Sequence, residues 1–336
     1  DAQNDASFAW FGGVPPVFNN AGLFRKSAGN GPTTFGGNVT FSGGNVEVLT
    51  GTLSLAGGGT TTTGGNFTVA DGAVLDLTGG STRTYVGNYT GTGAGTVRLG
   101  SGTLRVGADG ATFNFGGNLF QWTGGTLSGP GALTNAGTLN LSGDAVKTLN
   151  GLTLNNAGTV AWTGAGNLNM GNGAVFNNLA DSLFDAQNDA SFAWFGGVPP
   201  VFDNAGLFRK SAGAGTTTFG GNVTFSGGNV GVLTGTLSLA GGNTTTTGGN
   251  FTVADGAVLD LTGGSTPRTY IGNYIGAGAG TVRLGGGTLR VGTEGATFNF
   301  SGSLFQWNGG TLTGPGVLSN TGTLNLTGSV TLNGLT

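Results

Sequence analysis

The stretch Thr52–Leu99 reads TLSLAGGGTTTTGGNFTVADGAVLDLTGGSTRTYVGNYTGTGAGTVRL. Three apolar-x-apolar triplets stand out in it: Leu53-Ser54-Leu55, Leu75-Asp76-Leu77 and Val97-Arg98-Leu99, each 22 residues after the last. Alternation with period two is the pattern of a strand with one buried face. The Gly-Gly, Asp-Gly and Gly-Asn pairs between the triplets tolerate positive φ and form turns. A sandwich would place its strands about every 8–12 residues and join them by hairpins. A spacing near 22 instead fits one coil of two or three short strands. The spacing therefore predicts an all-β chain, a parallel β-helix or β-solenoid.

The same triplets continue outward. Val46-Glu47-Val48, Phe67-Thr68-Val69, Leu104-Arg105-Val106, Phe113-Asn114-Phe115, Leu139-Asn140-Leu141 and Leu168-Asn169-Met170 all follow the pattern. At about 22 residues per coil the chain holds about 15 rungs, and strands stacked at about 4.8 Å give a rod of roughly 70 Å. A single rung cannot bury its apolar face, so stacking supplies both the core and the backbone partners.

A longer repeat encloses the short one. Asp1–Phe18, DAQNDASFAWFGGVPPVF, recurs letter for letter at Asp185–Phe202. The inserted Pro267 lengthens the offset from 184 to 185, as in Trp122/Trp307, and a deletion near Asp144 shortens it to 183 at Leu149/Leu332. The chain is thus read as a first long repeat, 1–184, and a second, truncated copy, 185–336, continuous with it. Residues 154–184 have no second counterpart, and Thr336 aligns with Thr153 in mid-repeat. The expectation is a piece of a longer array.

Composition narrows the chemistry. Glycine contributes 75 of 336 residues, and charged residues only 7%, against about 25% for an ordinary globular domain. That much glycine opposes long helices, since each interior Gly costs about 1 kcal/mol relative to Ala. Disorder is excluded by the 37% apolar content and its patterning. There is no Cys and no His. Disulfides, thiolate chemistry, the commonest general base and the commonest metal ligand are all missing. No cofactor and no metal are expected. Gly-Gly pairs are frequent, but no Asp sits at the offset that calcium-binding nonapeptides require. No run of 18 apolar residues spans a membrane, and no basic cluster larger than Arg25-Lys26 or Arg209-Lys210 invites nucleic acid.

Several residues are candidates for chemistry. Asp71 and Asp76, with copies Asp255 and Asp260, form the best carboxylate pairs, such as a glycosidase or lyase uses. Asp71-Gly72 also reads as a turn, and Asp76 as an outward strand residue. Arg98 and Arg105, with Arg283 and Arg290, could hold an acidic sugar or form a solvated face. The runs Thr60–Thr63 and Thr244–Thr247 suggest an ice-binding row, but the column Ser54, Asp76, Arg98 is no such row. Asn38, Asn66, Asn88, Asn222 and Asn250 open Asn-x-Thr sequons. Trp10, Trp122, Trp162, Trp194 and Trp307 could stack on sugars, and Phe8-Ala9-Trp10-Phe11 is the densest aromatic patch. The catalytic residues expected are none.

One geometric expectation is sharp. If 22 residues make one rung, Asp76 and Arg98 are neighbours on adjacent rungs, as are Asp260 and Arg283, forming exposed stacked pairs worth at most about 1 kcal/mol each.

Phrases such as Phe18-Asn-Asn-Ala-Gly, Lys26-Ser-Ala-Gly, Gly125-Thr-Leu-Ser-Gly-Pro-Gly and Asn135-Ala-Gly-Thr-Leu-Asn-Leu resemble the repeats of large bacterial surface proteins, the autotransporter-like and filamentous-haemagglutinin-like adhesins. The resemblance covers essentially the whole chain. It implies a right-handed parallel β-helix in a secreted or cell-surface protein, structural or adhesive, with further copies of the repeat, surface glycans or neighbouring cell surfaces as partners. It carries over no catalytic residue. The alternatives are a polysaccharide-binding or polysaccharide-degrading enzyme on the same fold, and an ice-binding solenoid.

Overall fold

The computed structural model describes all residues except Thr60, Asn243, Thr244, Gly263, Ser265, Thr266 and Thr336. Its described residues are strands, turns and bends with no helix, wound as a parallel β-solenoid of about 14 turns of some 22 residues. Two compact units are present, Asp1–Gly166 and Asn167–Thr336. The division precedes the sequence repeat: the strand Leu183–Ala186 runs across the boundary between the two copies.

In the first unit, one ladder stacks Ser7–Phe8, Pro32–Phe35, Thr52–Ser54, Val74–Asp76, Thr96–Leu99, Phe120–Trp122, Thr138–Leu141 and Thr159–Trp162, all parallel. Leu53 faces Leu75, and Leu75 faces Val97, in the register the triplets require. A second ladder carries Leu23–Lys26, Asn45–Val48, Thr61–Val69, Thr82–Thr92 and Thr103–Phe115. A short third pairs Val17–Asn19 with Thr40–Ser42. The turns vary: register partners lie from 19 residues apart, Gln121 and Asn140, to 27 apart, Ser7 and Thr34.

The second unit follows the same plan. Leu168–Gly171, Ser191–Trp194, Thr216–Phe219, Thr236–Ser238, Val258–Asp260, Thr281–Leu284 and Phe305–Trp307 stack along one flank. Leu183–Ala186, Leu207–Lys210, Asn229–Val232, Thr245–Val253, Arg268–Ala277 and Thr288–Phe300 stack along another.

The strands of 9 to 13 residues in these ladders exceed what the triplets suggest. Each holds a corner where the chain turns without leaving the ladder. Gly64, Gly87 and Gly110 occupy these corners at φ of +75°, +81° and +77°, a region other residues rarely enter. Neighbouring corners also touch: a Cβ on Gly64 would lie 2.9 Å from the carbonyl oxygen of Asn88.

The core is a column of Leu, Val and aromatic side chains. Phenylalanines from successive rungs stack, as in Phe192 on Phe219 at 4.1 Å and Phe176 on Phe202 at 4.8 Å. Such contacts contribute about 0.5–1.5 kcal/mol each beyond area burial. Asparagines stack too: Asn135 donates to the Asn156 Oδ1 at 2.8 Å, and Asn178 to that of Asn204 at 2.7 Å.

Candidate functional site

Arg98 is the register partner of Asp76, and its Nη2 lies 2.9 Å from the carboxylate. Arg283 and Asp260 repeat this at 2.6 Å. The expectation that these pairs are exposed needs correction, because Asp76 and Asp260 are buried. Asp76 does point away from the core, but the turn after it folds back over the column. Its Oδ1 accepts the backbone N–H groups of Thr78 at 3.1 Å and Gly79 at 2.8 Å, while Oδ2 accepts Arg98. Asp260 likewise accepts the N–H of Thr262 at 2.9 Å. Both oxygens of each carboxylate are engaged in holding a turn and an adjacent rung.

Asp71 and Asp255 sit exposed on turns. A shallow cleft of about 500 Å³ runs beside Asp260, Thr262, Arg283 and Asn308, and its one carboxylate among the described residues is Asp260. Glycoside hydrolysis by the usual route needs two carboxyl groups across the scissile bond. No group of three or more metal-ligating side chains exists among the described residues, and no helix there is long and apolar enough to cross a membrane.

Arg105 and Arg290 are exposed. Within the threonine runs, Thr62 and Thr246 are buried while Thr61, Thr63, Thr245 and Thr247 are exposed; Thr60 and Thr244 lie outside the described residues. The exposed Thr61 and Thr63 are followed one rung on by Thr84 and Val86, not by a threonine row. Of the sequon asparagines, Asn38, Asn66, Asn88 and Asn250 are exposed and Asn222 is half-buried.

The tryptophans divide sharply. Trp122, Trp162 and Trp307 are core residues, so stacking on an external sugar is closed to them. Trp194 stays at the surface in the loop Trp194-Phe195-Gly-Gly-Val198-Pro-Pro, where Phe195 is 43% and Val198 67% exposed. In the first copy, Phe11 and Val14 of the same loop are fully open and Trp10 is half-buried. Gly12, Gly13, Gly196 and Gly197 all take positive φ, and in the second copy the loop pairs with the preceding rung: the Phe195 N–H donates to the Met170 carbonyl at 3.1 Å, and the Val198 carbonyl accepts the Gly173 N–H at 2.8 Å. This partly exposed aromatic loop is present once per long repeat.

Sequence reading missed the buried cations. Lys26 is fully buried and donates to the Asp5 carboxylate at 2.9 Å, the Ala28 carbonyl at 3.0 Å and the Thr33 hydroxyl at 3.1 Å. Lys210 repeats the arrangement with Asp189, Ala212 and Thr217. Arg83 reaches the carbonyls of Gly57 and Phe41 at 2.8 and 2.7 Å, as Arg268 reaches those of Gly241 and Phe225. Lys147 bonds the carbonyls of Gly143 and Ala145; burial pushes its pKa down to about 8 against the opposing pull of Asp144. The signal was present: Phe24 and Lys26, like Arg83 and Tyr85, are two apart and so share the inward face.

Asp185 shows how such pairs set protonation. Burial alone would raise its pKa, but hydrogen bonds from Arg209, Ser211 and Gln187 hold it below the ordinary carboxylate value. Compared with known proteins, the chain matches no family model, no curated protein and no solved structure.

Proposed function

We propose that this chain is a structural, adhesive β-solenoid segment of a secreted or cell-surface repeat protein, with no catalytic role. The observation that carries the reading is the use of charge. All six ion pairs among the described residues join side chains 21 to 24 residues apart, one rung to the next. Charge serves register here, since a slip of one residue would turn the apolar side chains outward. The pairing is tuned between copies. Arg25 pairs with Glu47 on the following rung. Where Gly231 replaces that glutamate, Arg209 turns to Asp185 on the preceding rung.

Adhesion falls to the loops Trp10–Pro16 and Trp194–Pro200. An aromatic and a proline-flanked valine left partly exposed on the flank present an apolar face to sugar rings or to a neighbouring cell surface, and aromatic residues are enriched where proteins meet partners. The test is binding of the chain to immobilised glycans and to whole cells. Serine at Phe11 and Phe195 together is expected to weaken binding at least tenfold with an unchanged melting curve. Retention of full binding by that variant would overturn the adhesive assignment.

A further inference from the structure

One sequence occurs twice in two environments. In the second unit, the strand Leu168–Gly171 lies on Ser191–Trp194, Val175–Asn178 on Val201–Asn204, and Leu183–Ala186 on Leu207–Lys210. Phe176 stacks on Phe202 at 4.8 Å and Phe184 on Phe208 at 5.1 Å, and Asn178 donates to Asn204. Under that rung Phe192 and Phe202 are fully buried.

The counterparts of these residues in the first unit are Phe8, Phe18, Asn20 and Phe24. Phe8, Phe18 and Phe24 form an aromatic floor with ring centroids 5.7 to 6.3 Å apart. Phe8 and Phe18 are each 37% exposed, and Leu23 more so. The strands Ser7–Phe8 and Val17–Asn19 have a partner on one side only among the described residues. A pocket of about 490 Å³ lies over this floor, lined by Phe8, Phe18, Asn20, Leu23 and Phe24. Asp1-Ala2 already takes the place of Asp185-Ala186: Ala2 bridges Lys26 as Ala186 pairs with Lys210. The open seat therefore matches residues 167–184.

We propose that this end face is a docking surface for a further copy of the repeat, entered by a rung with the sequence of residues 167–184. The inference rests on the reading of the chain as a stacking repeat protein. The register follows from the second unit: Leu168 against Phe8, Phe176 against Phe18, Asn178 against Asn20 and Phe184 against Phe24. Asn20 already donates to the Asn45 carbonyl at 3.0 Å, as Asn204 does to Asn229, which leaves its Oδ1 to accept from the incoming asparagine. Backbone pairing along an open strand supplies affinity, and the phenylalanine pockets supply specificity.

The test is titration calorimetry of the full chain with a synthetic peptide of residues 167–184. The expected result is saturable one-to-one binding, at least tenfold weaker for a Phe176→Asp peptide and for a scrambled one. On the protein side, Phe18→Ser should weaken it similarly; should that variant unfold by circular dichroism, the peptide variants decide. No binding at millimolar peptide, or binding indifferent to Phe176→Asp, would overturn the proposal. Turnover of a polysaccharide by the chain would overturn the structural reading instead, so the two fail separately.

Discussion

At the scale of single residues, polar groups are placed inside and then satisfied by neighbours one rung away. The four tyrosines show it most plainly. Tyr85, Tyr89, Tyr270 and Tyr274 are all the tyrosines in the chain, and all are buried. Tyr89 donates its hydroxyl to the Thr62 carbonyl at 2.6 Å, and Tyr274 to that of Thr246 at 2.6 Å. Burial pushes Tyr85 up to about 12, against the opposing pull of Arg83, and raises the other three. A folded-state pKa above the unfolded one stabilises the native form fully below the unfolded value near 10, and that stability is lost as pH climbs toward the folded value. Absorbance at 295 nm should therefore show almost no phenolate in the native chain at pH 10.5, with all four tyrosines titrating together at alkaline unfolding. Two or more phenolates formed at pH 10.5 with an intact far-ultraviolet spectrum would contradict this burial.

At the scale of the element, the rung was legible because its signal is simple. Leucines two apart, repeated at 22, place Leu53, Leu75 and Val97 in one column with Ser54, Asp76 and Arg98 beside them. The long bent strands were not legible, because a corner glycine within a strand and a turn glycine between strands look alike in sequence. The burial of Asp76 was hidden for a related reason: the roof over it is the Thr78–Gly79 turn, whose path depends on the carboxylate itself. The buried Lys26 and Arg83 were legible by alternation but masked by the expectation that charge faces water. Corner stacking can be isolated from backbone strain by comparing two alanine substitutions. Gly64 and Gly72 have nearly equal φ, +75° and +73°, but a Cβ at Gly72 meets nothing within 4 Å. Both substitutions strain the backbone by about 1–3 kcal/mol, and Gly64→Ala should cost more because its Cβ meets the Asn88 carbonyl. Urea melts giving equal losses would show that adjacent corners do not press on one another.

At the scale of the whole molecule, a chain with 7% charged residues places its ion pairs between rungs. The long duplication keeps the Asp–Arg clamps, the buried Lys26 and Lys210 and the aromatic loop in both copies, drops the buried Lys147, and alters single partners such as Glu47 and Gly231. Asp76 and Asp260 hold turns and adjacent rungs together, and the proposed function gives them no chemistry beyond that. The direct measurement is turnover on uronic-acid and neutral polysaccharides by the chain and by the Asp76→Asn, Asp260→Asn double variant, with thermal melts of the same samples. No turnover is expected from either, with a loss of about 1–3 kcal/mol of stability per site in the variant, the usual cost of a charge-assisted hydrogen bond. Turnover by the chain that vanishes in the variant while its melt stays unchanged would contradict that assignment.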